Sequence, residues 1–115
     1  MSASHITVTQ SQKHVTVVWR GHTIADTTRA LELREGSYPP MFYIPRADAE
    51  MARLSKTAHS TLCPHKGAAS YFSIKSGDAT SENAVWTYEA PHAGVAAIKD
   101  HLAFYPNRVD SITAG

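Results

Sequence analysis

Cys63 and Lys66 stand three residues apart in the stretch Thr61-Leu62-Cys63-Pro64-His65-Lys66-Gly67-Ala68-Ala69-Ser70-Tyr71. Cys63 is the only thiol of the chain. An ammonium close to a thiol favours the thiolate, lowering its pKa from a reference of about 8.5, and a thiolate is a nucleophile. Gly67 follows the lysine, and a residue without a Cβ lets a ligand approach the backbone. On this reading Cys63 and Lys66 are candidate catalytic residues. The plainer reading makes Cys63 a small buried apolar residue and Lys66 a solvated charge. No second cysteine stands ready to resolve a disulfide, so a redox cycle would need an external thiol.

Other chemistries find less support. His59, Cys63 and His65 have no standard zinc spacing and no obvious fourth ligand, so no metal site is expected. Lys66-Gly67 reverses the order of a phosphate-binding loop and lacks that loop's other glycine. No cofactor is expected. The carboxylates Asp26, Asp48 and Glu89 fall near turns and read as caps or surface charges rather than acid catalysts. The aromatic set is Phe42, Tyr43, Tyr71, Phe72, Trp86, Tyr88, Phe104 and Tyr105. Core packing is the plain role for most of them. Tyr43, Trp86 and Tyr88 could instead line a pocket, with Arg46 or Lys66 offering charge to an anion. With Gly67 and Tyr71 from the central stretch, Tyr43, Arg46, Trp86 and Tyr88 make up the ligand-binding candidates.

A chain of 115 residues makes one domain and buries roughly two-thirds of its unfolded surface, enough for a core without metal or disulfide staples. With 43% hydrophobic and 18% charged residues, it is globular in composition. Eleven basic residues face ten acidic ones, a net charge of +1, and no basic run marks a nucleic-acid face. A single cysteine makes no internal disulfide, which fits a reducing compartment. The first residues lack the pattern of a signal peptide, no window approaches the ~20 apolar residues of a membrane helix, and the last residues carry no lipidation motif. The expectation is a soluble cytoplasmic protein with a small molecule, rather than nucleic acid or membrane, as partner.

The elements that must position these residues are mostly strands. Residues 14–19 are rich in β-branched and aromatic types, Arg20-Gly21 turns the chain, and 22–25 returns. Leu31 and Leu33 alternate with charge in a third strand over 30–35. Pro39-Pro40 forces extended backbone ahead of an apolar strand over 41–44. Ala47, Met51 and Leu54 share one helical face, with acidic residues early and basic ones late, which predicts a helix over 46–54. Beyond the central stretch, strands are predicted over 69–75 and 84–88, joined by a turn at 76–78. In the second, Val85 and Thr87 face one side and Trp86 and Tyr88 the other. Val95, Ile98 and Leu102 suit one or two helical turns before an extended 103–105. The fold class is mainly β with one or two short helices. Residues 1–13 read as an N-terminal extension, 14–110 as the domain, and 111–115 as a tail.

Several blocks in order resemble a known family. They are Ala25-Asp26, then Pro39-Pro40 followed by Phe42-Tyr43-Ile44-Pro45-Arg46-Ala47-Asp48, and Cys63-Pro64-His65-Lys66-Gly67-Ala68-Ala69-Ser70-Tyr71. Trp86-Thr87-Tyr88 with Pro91, and Ala103-Phe104-Tyr105-Pro106 with Arg108-Val109-Asp110, complete the pattern. Together they resemble the bacterial domain-of-unknown-function family 427. His65 stands where that family usually has an aromatic residue. The resemblance implies a small, single, strongly bent antiparallel sheet of β-tent type, related to the methionine-R-sulfoxide reductases. Many β-tent proteins hold zinc with paired Cys-x-x-Cys knuckles, which one cysteine cannot supply. The family has also carried a nucleotidyltransferase label, but no Gly-Gly or Gly-Ser turn with an Asp-x-Asp pair accompanies it here. The reading of the residues is a domain that binds or modifies a small polar molecule in a pocket near the Cys63–Tyr71 turn. The alternative is a non-catalytic interaction module that this turn only stabilises.

Overall fold

Val15, Val17 and Trp19 are buried while Thr16 and Val18 between them are half-exposed, as the period of two along a strand requires. The same logic shapes most of the chain in the computed structural model, which describes residues 5–115. The strands are β1 (Ile6–Gln10), β2 (Val15–Trp19), β3 (His22–Thr27), β4 (Leu31–Glu35), β5 (Met41–Tyr43), β6 (Leu54–Cys63), β7 (Gly67–Ser76), β8 (Ala79–Thr87), β9 (Leu102–Phe104) and β10 (Ser111–Ala114). They form three antiparallel sheets, ordered β1-β4-β5, β10-β2-β3 and β6-β7-β8-β9. Arg20 and Gly21 both take positive φ, 49° and 78°, and so close the two-residue hairpin between β2 and β3. A single bridge from Ile44, just after β5, to Leu102 of β9 joins two of the sheets, and another ties Ala25 of β3 to Ala49. The fold is mainly β, as expected, with its strands divided among three antiparallel sheets.

The apolar residues of the sheet β6-β7-β8-β9 fall into two clusters on its opposite faces. Phe72, Ile74, Val85, Leu102 and Phe104 join Val15, Val17, Trp19 and Ile24 in one. Tyr71, Trp86, Tyr88 and Ala103 join Leu33 and Tyr43 in the other. The alternation expected at Val85 and Trp86 therefore separates two cores rather than core from solvent.

The helix expected over 46–54 is not formed. Two single 3-10 turns, Arg46–Asp48 and Met51–Arg53, stand in its place, with Ala49 extended between them. Tertiary pairing overrides local propensity here, because the Glu50 N–H donates to the Ile24 carbonyl at 2.7 Å and Ala49 bridges Ala25. Thr27 Oγ1 also donates to the Asp48 carboxylate, at 2.6 Å. The later helical region is likewise 3-10, Ala93–Ile98, kinked at Val95. Among the described residues no helix is long and apolar enough to cross a membrane.

Both ends expected to lie outside the domain take part in its sheets. The first four residues of the expected extension lie outside the described residues. Beyond them, β1 pairs with β4 from Ile6 opposite Glu35 to Gln10 opposite Leu31, and its Ile6 and Val8 pack on the second core. The expected tail forms β10, which pairs with β2 and sets Ile112 opposite Val17 against the first core. Burial of one or two aliphatic side chains per strand is what draws each end in.

Candidate functional site

The central stretch is a hairpin. Cys63 and Gly67 form the last pair of β6 and β7, and the Lys66 N–H donates to the Cys63 carbonyl at 3.3 Å. Pro64 fits the second position of such a turn because its ring presets φ. Gly67 has φ +115°, and a Cβ there would lie 3.3 Å from the Ala90 carbonyl oxygen and 3.5 Å from His92 Cδ2. The His92 N–H donates to the Lys66 carbonyl at 2.9 Å, so the turn is fastened to the segment that follows β8. Only glycine suits this approach.

The turn aims Lys66 at β4. Its Nζ donates to Glu35 Oε1 at 3.0 Å, with the two side chains 13% and 23% exposed. Burial works against the Lys66 charge, but the hydrogen bond to Glu35 and nearby titratable groups outweigh it and raise its pKa. The hydrogen bond from Lys66 holds the Glu35 carboxyl below its ordinary value, against the opposing effect of burial. Both groups therefore stay charged at neutral pH, and the pair is net neutral.

This pair sits at the side of a cleft of about 620 Å³. Tyr43, Lys66, Tyr71, Trp86 and Tyr88 all line it, joined by Glu35, Thr61 and Tyr105. Leu33, Met41, Pro39, Pro40 and Pro106 supply apolar wall. The cleft lies between two sheets, with β4 and β5 on one side and β6, β7 and β8 on the other. The Trp86 indole N–H donates to the Tyr43 hydroxyl at 3.2 Å, and the two rings meet nearly perpendicular. The Tyr105 ring is 4.5 Å from that of Trp86 and parallel to that of Tyr71 at 6.5 Å. The Tyr71 and Tyr105 hydroxyls are 3.4 Å apart, and Thr61 Oγ1 lies 2.9 Å from the Tyr71 hydroxyl. These bonds fix the rings before any ligand arrives.

Tyr88 differs from its neighbours. The residue is 5% exposed, and among the described residues its hydroxyl has no hydrogen-bond partner. No fully buried side-chain polar atom in the described structure is left without a partner. The Tyr88 hydroxyl must therefore reach the open space of the cleft. Burial raises the pKa of Tyr43 and of Tyr88, and pushes Tyr105 up to about 12. All three phenols keep their protons at neutral pH and remain donors.

Three of the expected residues are placed elsewhere. Arg46 donates to the Asp100 carbonyl at 2.7 Å and to Thr87 Oγ1 at 3.3 Å, and its guanidinium lies over the Phe72 ring. It clamps the first 3-10 turn to β8 and does not line the cleft. Cys63 is half-buried and packs against the core beneath the cleft without lining it. Gly67 shapes the turn that carries Lys66. His59 packs on Tyr71 and His65 on His5, so the imagined metal trio is not gathered. Among the described residues no three His, Cys, Asp or Glu side chains come together to hold a metal ion. Glu35, Thr61 and Met41 reach the cleft through strand pairing that no local sequence pattern announces. Tyr105 carried the aromatic signal but was grouped with the core.

The model of a family described as a domain of unknown function, DUF427, matches residues 7–115. The chain belongs to the DUF427 family. The match runs through β10, in keeping with the place of that strand in a sheet of this DUF427 chain. No curated protein matches it.

Proposed function

We propose that this domain binds a small polar molecule in the cleft between β4-β5 and β6-β7-β8. One observation carries the reading: Tyr43, Lys66, Tyr71, Trp86 and Tyr88, far apart in sequence, converge on a preformed concave surface of about 620 Å³. A largely apolar, aromatic cavity of this size with a few placed polar groups is the usual form of a small-ligand site. The geometry favours binding over nucleophilic chemistry. Cys63 does not line the cleft, and the Lys66 ammonium donates its hydrogen bond to Glu35, with the thiol near enough to act on it only through charge.

A thermal-shift screen across a metabolite library tests this. A ligand at about 100 times its Kd stabilises a domain by about 2.7 kcal/mol, a shift of roughly 10 °C at this chain length. Hits are expected to raise the melting temperature of the wild type and to lose that effect in Tyr105→Ala. Hits that stabilise both proteins equally would place binding outside the cleft, and a library without hits would count against a metabolite site.

A further inference from the structure

Resting on the reading of the cleft as a binding site, we infer that its ligand is a neutral, flat ring bearing a carbonyl-type oxygen. The exposed Tyr38 and the half-buried Tyr105 line the cleft and offer the ring a surface, with Trp86 packed against Tyr105 at 4.5 Å behind it. Tyr71 and Tyr105 are parallel but only 6.5 Å apart, and a ring sandwiched between them would need about 7 Å, twice an ordinary contact distance. The ligand ring therefore does not lie between Tyr71 and Tyr105.

The polar groups select the rest of the molecule. The Tyr88 hydroxyl reaches the cleft with no partner among the described residues. Lys66 Nζ carries three N–H groups, of which Glu35 takes one. The Tyr43 hydroxyl accepts from Trp86 and so keeps its own proton to donate. The cleft thus presents donors in search of an acceptor. Charge decides between acceptors. A ligand anion near Lys66 would also meet the Glu35 carboxylate, whose other oxygen lies 3.5 Å from His5 Nε2. A methylated cation drawn to the aromatic faces would meet the Lys66 ammonium and the Arg108 guanidinium over the Tyr105 ring. A carbonyl oxygen meets the donors without either conflict.

The test uses the Trp19→Phe protein, which leaves Trp86 as its single indole, and four probes read by fluorescence at millimolar concentration. Benzamide has the ring and the carbonyl, benzoate has the ring with a charge, cyclohexanecarboxamide has the amide without a flat ring, and choline is a methylated cation. Benzamide is expected to bind tighter than the other three. Tyr88→Phe, which removes a hydroxyl with no protein partner, is expected to weaken benzamide by roughly three- to tenfold. Tighter binding of choline, benzoate or the cyclohexane amide, or benzamide binding unmoved by Tyr88→Phe, overturns the inferred ligand class while leaving the cleft a binding site. If no probe binds, the inferred ligand class is overturned, while the cleft reading stands or falls on the thermal-shift screen.

Discussion

At residue scale, Gly67 and the Glu35–Lys66 pair carry the geometry of the turn. With φ at +115° and a backbone oxygen 3.3 Å from the position of a Cβ, Gly67→Ala must shift both its own backbone and the chain at Ala90. A loss on the order of 2 kcal/mol is expected in urea unfolding. A neutral alanine variant would mean that the close approach to Ala90 is not needed. The ion pair makes a pH-dependent claim. The folded-state pKa of Glu35 is lowered, so its contribution is full above the unfolded value of about 4.3 and is lost as pH falls through the folded value. The folded-state pKa of Lys66 is raised, so its contribution is full below about 10.4 and is lost as pH rises through the folded value. Glu35→Gln should cost about 1–2 kcal/mol near neutrality, less than for a fully buried pair because some solvent reaches both side chains. Its unfolding free energy should converge on that of the wild type only as pH falls through the lowered folded-state value of Glu35. A gap that stays constant down to acid pH would show that the carboxylate charge is not what the pair contributes.

At the scale of elements, legibility followed burial. β2 was readable because its apolar residues are buried on one face with a period of two, and β4 because Leu31 and Leu33 alternate with charge. β7 and β8, buried on both faces over Tyr71 to Ile74 and Ala84 to Thr87, were readable from their β-branched and aromatic residues. β6 was not. It is an edge strand with no fully buried residue, so Leu54–Cys63 has no alternation to read. The 46–54 region has a genuine helical stripe, yet pairing of Ala49 and Glu50 with β3 outweighs it. The site divides along the same line. Tyr43, Tyr71, Trp86 and Tyr88 announce themselves by residue type, whereas Glu35 is one charged residue among many until β4 is packed opposite the turn. Arg46 is the reverse case, a cation of suggestive type that the fold sets against a carbonyl and a ring, away from the cleft. β10 gives this scale its prediction. Deleting residues 111–115 removes the partner of β2 and the contact of Ile112 with the core, and should cost on the order of 2 kcal/mol, or roughly 5–10 °C in melting temperature. An unchanged melt would make β10 an ornament on β2.

At the scale of the whole molecule, the cleft exists only because separate sheets face one another. Its walls come from β4 and β5 on one side and from β6, β7 and β8 on the other, and the Trp86–Tyr43 hydrogen bond of 3.2 Å spans them. The chain's other indole, Trp19, belongs to the opposite core. That separation gives the central claim its most direct measurement. In a nitrogen–proton correlation spectrum of labelled protein, the two indole N–H signals are assigned with Trp19→Phe and then followed as a thermal-shift hit is added. The account predicts that the Trp86 signal moves in a saturable way while that of Trp19 stays still. A hit that moves Trp19 alone, or leaves both signals in place while still raising the melting temperature, would contradict the assignment of this cleft as the binding site.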